Sequence, residues 1–378
     1  MPKTMLDYIR ESHTAVLQNI DNSEKLTRQF VDNYMECQNG RLVLVASGSS
    51  YNGAVCAKPF MEKMLGKEVT VMPPYTFVNY GFEIGKNDMV AVVSQSGGST
   101  NSIAALKKIK ELGLKTIGIT GNLESDFKDY SDVLIEYGVG IETVGFVTKG
   151  VMTLALYLML SALEIAKKLG RVSGSEYGAW LEKMRKAAST YPSVEKKTLD
   201  FIEKNKKVFT SMKQSYLIGA GPGFGIALEG ALKEGETVKI PTFAYELDEF
   251  VHGPNFQLNP DYTVTFVDCD MKTHDRLLQL ADATFDVTDR VFILSLFGEK
   301  QAAGGALKGK TLMLDADDID PFVSVFTLLP YFQLVSYDVS ERLNSWKGHP
   351  LFADFETKSG FKSERHIKMR EEQKKAGL

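Results

Sequence analysis

A hydroxyl-rich turn that could hold an anion follows one of the most apolar runs of the chain. Residues 94–100 read Ser-Gln-Ser-Gly-Gly-Ser-Thr, between an apolar run at 88–93 and a helix-like stretch at 101–112. A strand that leads through such a turn into a helix presents backbone N–H groups and a partial positive charge beside the hydroxyl donors, and glycine lets an anion approach the backbone. No lysine follows in the GxxxxGK[ST] spacing of nucleotide P-loops, so the pattern favours a small phosphorylated metabolite.

A second turn of the same kind, Ser-Gly-Ser-Ser at 47–50, follows the apolar run 42–46. Ligands of open α/β sheets bind at the carboxyl ends of the strands, so we expect the two turns to converge on one anion. Serine and glycine are also ordinary turn and helix-capping residues, and either turn alone would be weak evidence. The two turns together favour an anion site.

Side chains that could move protons occur in the second half of the chain. Glu229, Lys233 and Glu236 recur at helical spacing and share one face of a predicted helix. The alternative is an ordinary solvated ion-pair face. His252 precedes Gly-Pro and is therefore placed on a turn; a lone histidine is more often structural than catalytic. The sequence has no HExxH motif and no Cys/His cluster, so we expect neither a metal nor a cofactor.

The composition is typical of a globular protein with more than one domain. The chain has 378 residues, of which 44% are hydrophobic, and its net charge of −4 gives no indication of nucleic-acid binding. The three isolated cysteines are typical of a reducing compartment. Residues 150–163 form an apolar, charge-free run, which is shorter than the roughly 20 residues of a bilayer span. We therefore expect a cytoplasmic protein in which this run is a buried helix.

Short β-branched runs alternate with helical segments after residue 41, which predicts a parallel sheet covered by helices. The predicted strands of the first half are 42–46, 68–72, 88–93, 115–119 and 133–137, and its predicted helices are 51–65, 101–112 and 147–168. Pro59 lies inside the first of these helices and predicts a kink or a delayed start.

The alternation resumes in the second half. The predicted strands there are 215–218, 263–269, 291–296 and 311–314, and the predicted helices are 225–236, 275–282 and 321–343. Gly48 and Gly221 each follow an apolar strand and precede a helix, which suggests one unit used twice. We therefore divide the chain into a helical segment (1–36), a first α/β domain (37–170), a helical linker (171–212), a second α/β domain (213–345) and a tail (346–378). The end of the tail, 363–378, is expected to fray or to pack on a partner.

Five motifs together resemble the sugar isomerase (SIS) family. They are residues 47–52, 94–97, 148–149, 227–233 and 252–254, in the family's order, and the resemblance extends over residues 41–358. It is greatest to the branch formed by the isomerase domains of glutamine–fructose-6-phosphate aminotransferases. The resemblance implies an α/β fold of two tandem doubly wound SIS domains, each with a mainly parallel sheet of about five strands flanked by helices.

The resemblance also implies roles for individual residues. Those that match the family's phosphate ligands are Ser50, Ser94, Gln95, Ser96 and Ser99. Glu236 matches the carboxylate that moves a proton between carbons 1 and 2, His252 matches the ring-opening histidine, and Lys233 matches the lysine beside them. Lys358 is assigned to the active-site lysine of the family's C-terminal tail.

The chain also departs from that branch. It begins Met-Pro-Lys and has its first cysteine at Cys37, so we expect no glutamine hydrolysis. Residues 348–351 and Lys358 resemble the fructosamine-6-phosphate deglycases of the same family. The resemblance therefore implies a phosphosugar isomerase or deglycase that acts on a 6-phosphorylated amino sugar or fructosamine and forms a homodimer or larger oligomer, without nucleic-acid or membrane partners. A non-catalytic sugar-phosphate-binding regulator and a simple ketose–aldose isomerase remain as alternatives.

Overall fold

The computed structural model describes residues 3–37, 40–81, 83–299, 304–345, 349 and 355–375. The chain forms two compact units. The first combines the residues up to Leu181 with the C-terminal residues from Gly348, and the second runs from Glu182 to Lys347. Each unit is built around its own sheet.

The strands within the described residues form two five-stranded sheets, one in each unit. In chain order they are β1 (Leu42–Ala46), β2 (Val69–Met72), β3 (Met89–Val93), β4 (Ile117–Thr120), β5 (Val133–Glu136), β6 (Gln214–Gly219), β7 (Thr242–Glu246), β8 (Tyr262–Asp268), β9 (Val291–Ser295) and β10 (Thr311–Met313).

The helices of the described residues follow in the same way. They are α1 (Met5–Asp21), α2 (Ser23–Glu36), α3 (Ser49–Leu65), α4 (Pro74–Tyr80), α5 (Thr100–Glu111), α6 (Lys149–Lys168), α7 (Gly174–Ser189), α8 (Tyr191–Lys204), α9 (Lys206–Phe209), α10 (Pro222–Thr237), α11 (Met271–Phe285), α12 (Val325–Leu343), α13 (Phe355–Ser359) and α14 (Glu364–Lys375).

Both sheets are parallel and have the same topology. The first has the order β2-β1-β3-β4-β5, and the second, read from its β7 edge, has the order β7-β6-β8-β9-β10. The turns that follow the first strand of each half also have similar backbone conformations. Gly48 and Gly221 both precede a helix and have φ values of 58° and 51°. A positive φ of this kind favours glycine. The predicted repeat of one doubly wound α/β unit is therefore confirmed.

The strands form where apolar runs can be buried on both faces of a sheet. All five residues of β1 and of β3 are buried, and so are all seven residues of β8. Central parallel strands are covered on both sides by helices, which is why they appear in the sequence as continuous apolar runs. The predicted strands are confirmed, with ends that differ by a few residues.

The apolar helix α6 forms part of the core of the first unit. It is long and apolar enough to cross a bilayer, but its apolar stretch is buried inside the unit, where it packs against α1, α2 and α3. Gly53 of α3 allows this close packing, because a Cβ there would lie 3.1 Å from the carbonyl oxygen of Val151. The predicted buried helix is confirmed, and its hydrophobicity is that of a core helix.

Three local features differ from the sequence predictions. Pro59 lies inside α3, which begins at Ser49, so a delayed start is wrong. Helix α4 and strand β7 were not predicted. β7 lies at an edge of its sheet and is only partly buried, so it lacks the continuous apolar run that identifies the central strands.

Candidate functional site

The turn after β3 is fixed by its backbone. The Ser94 N–H donates to the Ile119 carbonyl at 3.0 Å, and the Gly97 N–H donates to the Ser94 carbonyl at 3.0 Å. Gly97 has φ +60°, and a Cβ there would lie 2.0 Å from the Ser125 hydroxyl oxygen. Glycine is therefore required at this position both by backbone conformation and by lack of space.

The two hydroxyl-rich turns leave the same edge of the sheet, as expected. Ala46, the last residue of β1, is in register with Val93, the last residue of β3. The Asn101 side-chain amide donates to the Ser47 hydroxyl at 3.1 Å and so joins the two turns. Ser50 is buried in the first turn of α3, directly after the β1 turn.

Three hydroxyl groups predicted to bind phosphate lie close together in the first unit. The Ser94 hydroxyl donates to the Ser99 hydroxyl at 3.4 Å. The ammonium group of Lys362 donates to the Ser96 hydroxyl at 2.9 Å and to the Ser99 hydroxyl at 3.0 Å. Ser94, Ser96 and Ser99 are thus brought to one place, together with a positive charge that sequence reasoning missed.

The side chain of Gln95 points to a different partner. Its Nε2 donates to Glu142 Oε2 at 2.6 Å. Glu142 also accepts the backbone N–H groups at the start of α6, from Thr148, Lys149 and Gly150, at 2.6 to 3.0 Å. A carboxylate here satisfies N–H groups that have no partner within the helix and balances the helix dipole. Gln95 therefore ties the turn to α6, and a phosphate contact by its side chain stays a prediction.

The C-terminal tail pairs with the turn through an isolated β-bridge. Lys362 forms an antiparallel bridge with Ser99, the Thr100 N–H donates to the Phe361 carbonyl at 3.1 Å, and the Ser363 N–H donates to the Gly98 carbonyl at 2.9 Å. Helix α14 follows at once, and Arg365 pairs with Asp129 at 2.5 Å. The expectation that residues 363–378 fray is therefore wrong for the part of the tail that the structure describes.

The other predicted tail features are Lys358 and the motif at 348–351. Lys358 is an exposed residue of α13, and its assignment as the tail's active-site lysine stays a prediction. Of the motif at 348–351, Gly348, Pro350 and Leu351 lie outside the described residues. No local pattern points to Lys362, because its contacts are made with residues more than 260 positions away.

In the second unit, α10 carries the predicted proton-transfer residues. The Lys233 ammonium lies 3.5 Å from a Glu229 carboxylate oxygen and forms an ion pair with Glu236. The side chains of Glu229 and Lys233 are fully buried, whereas that of Glu236 is 34% exposed. A solvated ion-pair face is therefore wrong for Glu229 and Lys233. Glu236 is the member of this cluster that solvent or a ligand can reach.

His252 lies on an exposed turn and not in the core. It follows the short 3-10 helix Glu249–Val251, and its backbone N–H donates to the Glu249 carbonyl at 3.1 Å. The next residue, Gly253, has φ +137°, a conformation that favours glycine. The Glu246 carboxylate accepts the N–H groups of Asp248 and Glu249 and shapes the approach to the turn. The imidazole ring is therefore accessible, and its ring-opening role stays a prediction.

A second glutamate of α10 has an unusual environment. Burial raises the pKa of Glu234 to about 7. A carboxylate with such a pKa could serve as a general base near neutral pH, but Glu234 is 3% exposed. Its Oε2 lies 3.5 Å from the Thr242 hydroxyl of the edge strand β7. Because the side chain of Glu236 is far more exposed, Glu236 is the better candidate for the proton-transfer base.

Among the described residues, no group of three or more His, Cys, Asp or Glu side chains could hold a metal ion. A positive group that the structure does place beside Glu236 is the ammonium of Lys233.

Comparisons with known proteins find a matching family model and similar sequences. Residues 34–163 match the family model of the SIS domain. Relatives include the glutamine–fructose-6-phosphate aminotransferases of Thermococcus kodakarensis, 24% identical over 90% of this chain and 55% of the relative, and of Haemophilus influenzae, 26% identical over 88% and 55%. The chain therefore spans about half the length of these curated relatives.

Solved structures agree with the observed fold. A candidate phosphosugar isomerase from Clostridium difficile is 27% identical, with a TM-score of 0.85 over 96% of this chain and 99% of that one. The C-terminal domain of glucosamine-fructose-6-phosphate aminotransferase from Francisella tularensis is 21% identical, with a TM-score of 0.80 over 90% and 96%, and this likeness shows the fold alone. The chain therefore contains an SIS domain over residues 34–163 and is related to the isomerase domains of the SIS family.

Proposed function

We propose that the chain is a phosphosugar isomerase or deglycase acting on a 6-phosphorylated amino sugar or fructosamine. In this proposal, it moves a proton between carbons 1 and 2, which leaves a C=N bond. Water hydrolyses that bond to a carbonyl group and the free amine, or the reverse reaction adds the amine, and glutamine is not hydrolysed. The observation that carries the proposal is the α10 cluster, in which the accessible Glu236 is paired with the fully buried Lys233.

The first unit would bind the phosphate. Phosphate oxygens accept hydrogen bonds, and the hydroxyl groups of Ser94, Ser96 and Ser99 lie together at the carboxyl edge of a parallel sheet, with Ser50 after the neighbouring strand. Gln95 would contribute to phosphate binding by holding the turn in place through its hydrogen bond to Glu142. Binding energy from a phosphate remote from the reacting carbons can be used to orient the reacting end of the sugar.

The second unit would supply the acid and base groups. Ring opening needs a group that can give and take a proton near neutral pH, and an accessible imidazole such as that of His252 is suited to this. Glu236 would take the proton from one carbon and return it to the other. The negative charge that develops on the enediol-like intermediate would be stabilised by Lys233, which is held in place by two carboxylates. Lys358 stays assigned as a further tail lysine in this reaction.

A panel of substrates distinguishes the possible reactions. The full chain is incubated with glucosamine 6-phosphate, fructose 6-phosphate with ammonia, and fructosamine 6-phosphates that carry different amino acids, and free amine and hexose 6-phosphate are measured. Amine release or uptake supports the proposal. Ketose–aldose conversion without an amine supports the simple isomerase, and binding without any product supports a regulator. A cytoplasmic location and a homodimer or larger oligomer are expected with either enzyme.

A further inference from the structure

We propose that Lys362 is a specificity-determining ligand of the anion site, in addition to the serine hydroxyls. The inference deepens the proposed function, because the anion concerned is the substrate's phosphate. It rests on the contacts of the Lys362 ammonium, which lies 2.9 Å from the Ser96 hydroxyl and 3.0 Å from the Ser99 hydroxyl.

In their hydrogen bonds with other protein groups, the hydroxyl groups of Ser96 and Ser99 act as acceptors. A hydroxyl group has two acceptor positions and one proton to donate. Ser96 accepts from Lys362 and, at 3.4 Å, from the Gly98 N–H. Ser99 accepts from Lys362 and, at 3.4 Å, from the Ser94 hydroxyl. Within the part of the chain that the structure describes, neither hydroxyl donates to another group.

This arrangement selects for an anion. Because both acceptor positions of Ser96 and of Ser99 are occupied, what each can offer a ligand is a donated proton, and phosphate oxygens accept protons. The ammonium that fills the acceptor positions carries the positive charge that a dianion requires. Lys362 and a phosphate would therefore bind to the serines together and would not compete for them.

The backbone holds Lys362 in this position. Lys362 forms a β-bridge with Ser99. Its neighbours Phe361 and Ser363 form backbone hydrogen bonds with Thr100 and Gly98 of the turn. The Ser363 hydroxyl also donates to Asp126 at 2.7 Å. A lysine already held by two hydrogen bonds loses less side-chain freedom on binding than a lysine on a free surface. The tail segment 361–363 would thus be a structural component of the anion site.

The test measures binding of inorganic phosphate and of glucosamine 6-phosphate to the full chain by titration calorimetry. Lys362→Met removes the charge and the donors, and Lys362→Gln removes the charge but keeps a donor. The matched control is Lys368→Met, an exposed lysine on α14 of the same tail. Thermal unfolding is recorded for each protein, so that binding is compared below the midpoint of unfolding.

Both Lys362 variants are expected to bind phosphate about 10- to 100-fold more weakly, as for the loss of a charge-assisted hydrogen bond. Lys368→Met should stay within about twofold of wild type. Affinity unchanged in either Lys362 variant would overturn the inference, and tighter binding would overturn it too, because the ammonium would then compete with the ligand.

A Ser96→Ala/Ser99→Ala double variant separates this inference from the proposed function. If the double variant loses phosphate binding and the Lys362 variants do not, the anion site remains and the role of Lys362 is wrong. If wild type binds phosphate and neither set of variants weakens it, the anion binds elsewhere, and both the inference and the proposed phosphate site fail.

Discussion

The side-chain amide of Gln95 donates a 2.6 Å hydrogen bond to the carboxylate of Glu142, which also accepts three backbone N–H groups at the start of α6. This carboxylate therefore connects the predicted phosphate turn to the buried core helix of the first unit. The contact explains why a glutamine stands inside a turn of serines and glycines.

Glu142→Ala should destabilise the chain and loosen the turn. The change leaves the N–H groups of Thr148, Lys149 and Gly150 without their acceptor, together with the Gln95 amide. Losses of this kind cost about 1–3 kcal/mol. Chemical denaturation measures the cost, and phosphate titration measures the effect on the turn. Glu68→Ala, at an exposed residue of the same unit, is the control and should change stability by less than about 0.5 kcal/mol. Equal stability of the two variants would contradict the capping role of Glu142.

Gly97→Ala should disrupt the backbone conformation of the turn after β3. Alanine at this position combines an unfavourable φ of +60° with a Cβ placed 2.0 Å from the Ser125 hydroxyl oxygen. Gly113 offers a matched control, because its φ is +70° but nothing lies within 4 Å of an added Cβ. Gly113→Ala should cost about 1–2 kcal/mol from backbone strain alone.

Gly97→Ala should cost more than Gly113→Ala in denaturation experiments, and only Gly97→Ala should weaken phosphate binding. Retained phosphate affinity in Gly97→Ala would show that the turn does not form the anion site.

Glu234 should make the chain less stable as the pH rises. Its folded pKa of about 7 lies above the unfolded value of about 4.3. Below both values the carboxyl group is protonated in both states and imposes no cost. Between them the folded state binds more protons than the unfolded state, so the free energy of unfolding falls as the pH rises and levels off above pH 7. The full effect is on the order of 3 kcal/mol.

Glu234→Gln tests this effect by removing the titrating group. The variant should gain stability over wild type at pH 8 and show a smaller gain, or none, at pH 4. Denaturation of both proteins across this range isolates Glu234 from other groups, because their contributions cancel in the difference. A difference between the two proteins that does not change with pH would show that Glu234 titrates normally.

Much of the fold could be predicted because burial leaves a pattern in the sequence. The strand β1 and the helix α6 are continuous apolar segments, and both are buried at almost every position. The edge strand β7 was missed because its residues are only partly buried and do not alternate regularly between buried and exposed positions. Phe243, for example, is 50% exposed. Local patterns identify buried elements better than they identify edges.

The candidate site was only partly predictable for a different reason. The serines of the turn stand next to one another in the sequence, so their types and spacing suggested an anion site. Lys362 stands 263 residues from Ser99, and only the fold brings them together. The partner of Gln95 was missed in the same way, because Glu142 lies 47 residues further along the chain.

The most direct test of the proposed chemistry follows carbon-bound hydrogen in D2O. The full chain is incubated with fructose 6-phosphate, glucosamine 6-phosphate or a fructosamine 6-phosphate, and proton NMR records deuterium at carbon 1 of the ketose or carbon 2 of the aldose. Glu236→Gln is compared with Glu182→Gln, which changes an exposed carboxylate of α7. We predict that wild type and Glu182→Gln incorporate deuterium, and that Glu236→Gln is slower by about 10²–10⁴-fold while it still binds the sugar phosphate. Labelling by Glu236→Gln at the wild-type rate would contradict the role of Glu236 in moving the proton.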